Sequence, residues 1–251
     1  MSPGTAGRAR EPGVDPLEGI ELVIFDKDGT LIEFDRMWRD WVADLGERLS
    51  TATRRPFVDR LFGLMGVDPA SGLIYPHGLL AATPMARLRE LVVEALEDEG
   101  IPPDRAEDAM AGAWHPPDPV ALATPVTDLP ALFDRLEARD IRSAVATADD
   151  RRPTERTLAA LGIADRFEVL SCADDGHRVK PFPDPVHLIA AAVGVPVGRS
   201  LVVGDSPADM RMGRAAGAGR VVGVLTGVGD RAILAPLADL VLPSIAELLP
   251  A

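Results

Sequence analysis

Leu22-Val23-Ile24-Phe25-Asp26-Lys27-Asp28-Gly29-Thr30 decides the reading of this chain. Four apolar residues run without a break and then stop at two acids and a glycine. A run of this kind suits a central parallel strand buried on both faces. Similar runs follow at Ile141 to Thr147, Phe167 to Leu170, Ser200 to Gly204 and Val221 to Leu225, and Asp239 to Leu242 reads as a short edge strand. Helical patterns lie between them. Leu129, Leu132, Phe133 and Leu136 recur at helical spacing behind Asp128, an N-cap residue. Thr154 to Leu161 stops at Gly162, and Asp184 to Val193 stops at Gly194. Pro207 to Ala216 sits between Ser206 and Gly217. Alternating strands and helices predict an α/β fold, a Rossmann-like parallel sheet core flanked by helices.

Residues 34–123 interrupt that alternation with helices alone. Trp38, Trp41, Val42, Leu45 and Leu49 form one apolar stripe, and Phe57, Leu61, Phe62 and Met65 a second. Met85, Leu88, Val92, Ala95 and Leu96 make a third, and Ala106, Ala109, Met110 and Ala113 a weaker fourth. The expected division is a tail at 1–19, a core from 20–33 and 124–251, and an inserted helical cap at 34–123. Gly66 to Thr83 is expected to be non-helical, and the proline-rich return from Pro116 to Pro125 extended.

Among 251 residues, 39 are Asp or Glu and 26 are Lys or Arg, a net charge of −13. That balance argues against nucleic acid or an anionic membrane surface as the main partner. It does not exclude a small anionic substrate, because a bound cation overrides the global field locally. Cys172 is the only cysteine, so no internal disulfide forms, in keeping with a cytoplasmic setting. No apolar run reaches the ~18 residues of a membrane span, and the first nineteen residues lack the apolar segment of a signal peptide.

The chemistry concentrates at strand ends, where open parallel sheets bind ligands. Asp26-x-Asp28-Gly29-Thr30 follows the first strand, and Gly204-Asp205-Ser206-Pro207-Ala208-Asp209 follows a later one and opens a helix. If those strands are neighbours, Asp26, Asp28, Asp205 and Asp209 crowd together and repel unless a cation neutralises them. Oxygen-only ligands favour Mg²⁺. Thr147, with Ala148-Asp149-Asp150 behind it, puts a hydroxyl and backbone N–H groups where a phosphoryl group can bind. Lys180 is fixed by three prolines in Arg178-Val179-Lys180-Pro181-Phe182-Pro183-Asp184-Pro185.

Taken in order, these four segments resemble the four motifs of the haloacid dehalogenase superfamily, and most closely its phosphoglycolate-phosphatase-like branch with an inserted helical cap. The resemblance implies a Mg²⁺-dependent phosphatase of a small phosphorylated metabolite, either phosphoglycolate or a sugar phosphate. It implies Asp26 as the nucleophile that forms an aspartyl-phosphate, Asp28 as general acid and then base, and Lys180 as the residue orienting Asp26. Gly29, Thr30, Thr147, Ala148 and Lys180 are expected at the phosphoryl group, and Asp26, Asp28 (through its backbone carbonyl), Asp205 and Asp209 at the metal. The site is expected to be cationic once Mg²⁺ and Lys180 are in place. Two positions depart from the pattern: Lys27, where an apolar residue is common and whose side chain is expected to point away from the metal, and Ala148, where Asn is common. A phosphomutase of the same superfamily and a non-catalytic ligand-binding relative are the alternatives, and the expected assembly is a monomer or homodimer. In the cap, Asp68, Tyr75, His77, Arg36 and Arg39 are candidates for reading the leaving group, with solvated surface the favoured reading of the charged ones. Trp38, Trp41 and Trp114 read as cap core.

Overall fold

The computed structural model describes residues 15–70, 73–75, 78–83, 85–115 and 123–249. Most of the N-terminal tail, His77 and most of the proline-rich return lie outside the described residues, as does the side chain of Arg36. The chain divides into two compact units: residues up to Phe34 together with those from Pro119 onward, and Asp35–Asp118.

β1 (Leu22–Phe25) opens the chain's first unit. The second unit holds α1 (Phe34–Thr53), α2 (Val58–Met65), α3 (Leu79–Ala82), α4 (Met85–Asp98) and α5 (Pro103–Ala113), with α1 starting at the boundary. The first unit resumes with α6 (Leu129–Glu137), β2 (Arg142–Ala146), α7 (Arg151–Ala160), β3 (Val169–Ser171), α8 (Asp184–Val193), β4 (Ser200–Gly204), α9 (Pro207–Ala216), β5 (Arg220–Val224), α10 (Arg231–Leu234) and β6 (Leu240–Leu242).

All six strands are parallel, in the order β3-β2-β1-β4-β5-β6. Every β1 side chain is buried, as its unbroken apolar run requires. Val23 and Phe25 face a core with Phe133, Val145, Leu201 and Val203. Leu22 and Ile24 face the opposite layer with Ala144, Ile189 and Val202. Phe25, Phe133 and Phe167 meet edge to face at centroid distances of 5.5, 6.3 and 5.0 Å. From β1 the chain builds outward through β2 and β3, then returns to place β4 on the other side of β1. Phe25 therefore pairs with Val145 of β2 and with Val203 of β4. Strand order reverses at β1, and such a reversal opens a crevice beyond the C-terminal strand ends.

In the second unit, Trp41 is buried and meets Trp38 and Trp114 edge to face at 5.5 and 5.2 Å. Its indole N–H donates to the His115 carbonyl at 2.6 Å. Three details differ from the sequence reading. The stretch Gly66 to Thr83 contains α3, α7 begins at Arg151 rather than Thr154, and α10 was not expected. α3 and α10 are single turns, too short to show a helical period, and the first turn of α7 is Arg151-Arg152-Pro153, without an apolar residue. Among the described residues, no helix is long and apolar enough to cross a membrane.

Candidate active site

Two strand ends build the site. Beyond β1 the chain turns sharply, with the Leu31 amide donating to the Lys27 carbonyl at 2.8 Å and the Gly29 amide to the Ile32 carbonyl at 2.8 Å. Gly29 has φ +79°, and a Cβ there would lie 2.6 Å from Asp205 Oδ2. Only glycine meets both demands. Beyond β4, Ser206 caps α9 and Asp209 returns the bond: Asp209 Oδ2 accepts from the Ser206 amide at 3.1 Å and its hydroxyl at 2.5 Å. This capping box fixes Asp209 one turn below Asp205.

Asp26, Asp205 and Asp209 are all buried, and one carboxylate oxygen from each lies within 4.8 Å of the others. The Lys180 ammonium enters this group, donating to Asp26 Oδ1 and, at 2.7 Å, to Asp209 Oδ1. The two neighbouring carboxylates hold its pKa above the ordinary lysine range despite burial. Burial pushes the Asp26 carboxyl up to about 7, with Lys180 opposing and Asp209 and Asp28 adding to the rise. Asp205 is also pushed well up by burial, and then by Asp26 and Asp209. Three buried carboxylates against one ammonium leave excess negative charge, and every donor is a hard oxygen. That donor set fits a hard divalent cation.

Asp28 does not join the three. Its carboxylate takes both oxygens to Lys27 Nζ, each at 2.7 Å, and Lys27 reaches Asp149 Oδ2 at 2.9 Å. Lys27 thus pairs with Asp28 and Asp149 and ends on the candidate acid–base residue. Burial pushes the Asp28 carboxyl up, with Lys27 as the main opposing charge. Thr147 is buried at the end of β2, its hydroxyl accepting from the Asp149 amide at 3.1 Å, and Ala148 is exposed. Gly29 and Thr30 are buried within the turn, the Gly29 carbonyl accepting from the Thr226 hydroxyl at 2.5 Å.

The sequence profile of the haloacid dehalogenase-like hydrolases matches residues 20–217. The chain belongs to the haloacid dehalogenase-like hydrolases. It is an enzyme, a hydrolase acting on phosphoric monoesters. Within this superfamily it is 31% identical to a phosphoglycolate phosphatase of Rhodospirillum rubrum over 202 residues, 80% of this chain and 78% of the relative. It is 30% identical to an N-acetylmuramic acid 6-phosphate phosphatase of Pseudomonas aeruginosa over 198 residues, 79% of each chain. Its fold is similar to a subfamily IA haloacid dehalogenase hydrolase of Geobacter sulfurreducens (TM-score 0.65, 19% identity, 92% and 97% of the two chains). It is also similar in fold to a putative β-phosphoglucomutase of Thermotoga maritima (TM-score 0.62, 21% identity, 92% and 97%). The buried acidic triad suits the metal ion that haloacid dehalogenase-like hydrolases generally use.

In the second unit of this hydrolase, Tyr75 donates to Asp68 at 3.4 Å and Arg39 pairs with its neighbour Asp40 at 3.0 Å. Two parts of the site escaped sequence reasoning. One is the Lys27–Asp28–Asp149 arrangement; a lysine between two acids in a strand-end motif was its only signal. The other is the loop after β5, where the Val228 amide donates to Asp205 Oδ2 at 2.7 Å. A Cβ on Gly227 would collide with that carboxylate, so the glycine lets the backbone approach.

Proposed function

We propose that the chain is a Mg²⁺-dependent phosphatase of a small phosphomonoester metabolite, working through an aspartyl-phosphate on Asp26. The observation that carries this reading is the Asp26 carboxylate at the β1 end, bonded to Lys180 and flanked by Asp205 and Asp209. Asp26 attacks phosphorus as the ester P–O bond breaks, and Asp28 gives its proton to the leaving oxygen. Water then attacks the aspartyl-phosphate and loses a proton to Asp28, releasing phosphate and restoring both carboxylates to their starting states. Lys180 keeps Asp26 aligned and offsets charge gathering on the phosphoryl oxygens, and Thr147 adds a hydroxyl there. Asp26, Asp205 and Asp209, with the Asp28 carbonyl, would hold Mg²⁺, which supplies charge neutralisation when bound.

The formal charges of those three carboxylates, Lys180 and one divalent cation cancel, and with Asp28 holding the proton it donates, Lys27 balances Asp149. The centre is thus neutral rather than cationic, still favourable to a phosphate dianion within a chain of net charge −13. The named activities of the two bacterial relatives support a small carboxylated or sugar phosphate as substrate. The division of labour follows the superfamily pattern: 20–33 and 124–251 perform the chemistry, and 34–123 acts as a cap that selects the leaving group. A cytoplasmic location fits the single, buried thiol of Cys172.

Phosphate release from a panel of phosphorylated metabolites tests this function. Release should need Mg²⁺, stop with EDTA and vanish in Asp26→Asn. Equal turnover by wild type and Asp26→Asn would refute the nucleophile, and a hexose phosphate returned as its isomer would favour a mutase.

A further inference from the structure

Lys27 is 1% exposed, and its ammonium contacts both oxygens of Asp28. A buried ammonium is costly unless it is paired, and here it has two carboxylate partners. The second, Asp149, is tied down through its backbone. Its amide donates to the Thr147 hydroxyl at 3.1 Å, and its carbonyl accepts from the Ala173 amide at 2.9 Å. Asp149 is therefore anchored to the ends of β2 and β3, and Lys27 transmits that anchorage to Asp28. The Asp28 side chain keeps 21% of its exposure, so the clamp leaves it accessible.

We propose that Lys27 is a positioning residue: with Asp149 it locks the orientation of the Asp28 carboxylate for proton transfer. The proposal rests on the phosphatase reading, in which Asp28 serves the leaving oxygen. Proton transfer needs heavy atoms within hydrogen-bond reach, and a short acidic side chain turns freely unless its oxygens are held. A displacement of about 1 Å costs on the order of 10²-fold. Lys27 touches neither substrate nor metal in this account and acts only through Asp28.

The dependence of kcat/KM on the leaving group separates this role from a purely structural one. An alkyl phosphate needs a proton on its departing oxygen, and 2,4-dinitrophenyl phosphate does not. Lys27→Met should lower kcat/KM for the alkyl ester by about 10- to 100-fold and leave the dinitrophenyl ester within a few-fold. Asp149→Asn changes a side chain that is 46% exposed and keeps the fold even if Lys27→Met does not. It should show the same selectivity with a smaller loss. In an Asp28→Asn background, Lys27→Met should add no further loss on the alkyl ester. Equal losses on both esters, a further loss in the Asp28→Asn background, or wild-type behaviour of both variants would overturn the proposal while leaving the phosphatase reading intact. A wild type that turns over neither ester would overturn both.

Discussion

Lys180 and Asp209 are joined at 2.7 Å, with Asp209 wholly buried and Lys180 nearly so. The same ammonium holds Asp26, so one cation spans the ends of β1 and α9. Lys180→Met should therefore lower kcat by about 10² or more, in line with loss of one charge-stabilising donor. Steady-state kinetics at saturating Mg²⁺ measures this. A loss of less than tenfold would mean that Lys180 serves the fold and not the phosphoryl group.

Gly29 separates the β1 turn from Asp205. Gly29→Ala forces an L-residue to φ +79° and drives its Cβ against the Asp205 carboxylate. The expected cost is about 1–3 kcal/mol of stability, with weaker Mg²⁺ binding because Asp205 must move. Denaturant unfolding and a Mg²⁺ titration check the two effects. An unchanged midpoint would contradict the tight approach.

Cation binding should depend on pH with a definite sign. Asp26 is raised to about 7 and Asp205 well above its ordinary value, burial being the first cause of each. Near pH 6 the Asp26 carboxyl holds a proton that a cation must displace, and the upward shift of Asp205 acts in the same direction, so affinity should rise from about pH 6 to about pH 8. Calorimetric Mg²⁺ titrations in two buffers of different ionisation enthalpy should show proton release at the lower pH. Binding without proton release there would contradict the raised values.

Asp175 provides a test away from the site. Burial pushes its carboxyl up, but the Cys172 amide at 2.8 Å and the Arg151 guanidinium at 2.8 Å more than offset that, so its pKa is lowered. A depressed carboxylate stabilises the fold above its unfolded pKa of about 3.9 and loses that contribution as pH falls through the folded value. Asp175→Asn should cost about 1–3 kcal/mol near neutral pH, with the gap to wild type closing below about pH 4. A gap independent of pH would remove the charge from the explanation.

Much of the sheet was legible because β1 and β4 are buried on both faces and carry unbroken apolar runs. Ser206, Pro207 and Gly217 announced α9 through its caps. The strand-end acids were legible as a possible metal group, but their meeting depended on β1 and β4 being neighbours, which strand order decides and local sequence does not. The Asp28 carboxylate was harder to place. Lys27 and Asp149 come from different strand ends, and only the fold joins them, with Lys27 in turn on the Asp28 carboxylate. The Val228 amide at Asp205 belongs to a glycine-rich loop with no periodic signal.

Covalent capture at Asp26 tests the central claim most directly. Acid quenching during turnover of a phosphomonoester, followed by borohydride reduction, converts an aspartyl-phosphate to homoserine, which peptide mass spectrometry locates. The account predicts homoserine at position 26, dependent on substrate and Mg²⁺ and absent from Asp26→Asn. Turnover with no homoserine at that position, or with it elsewhere, would contradict the account.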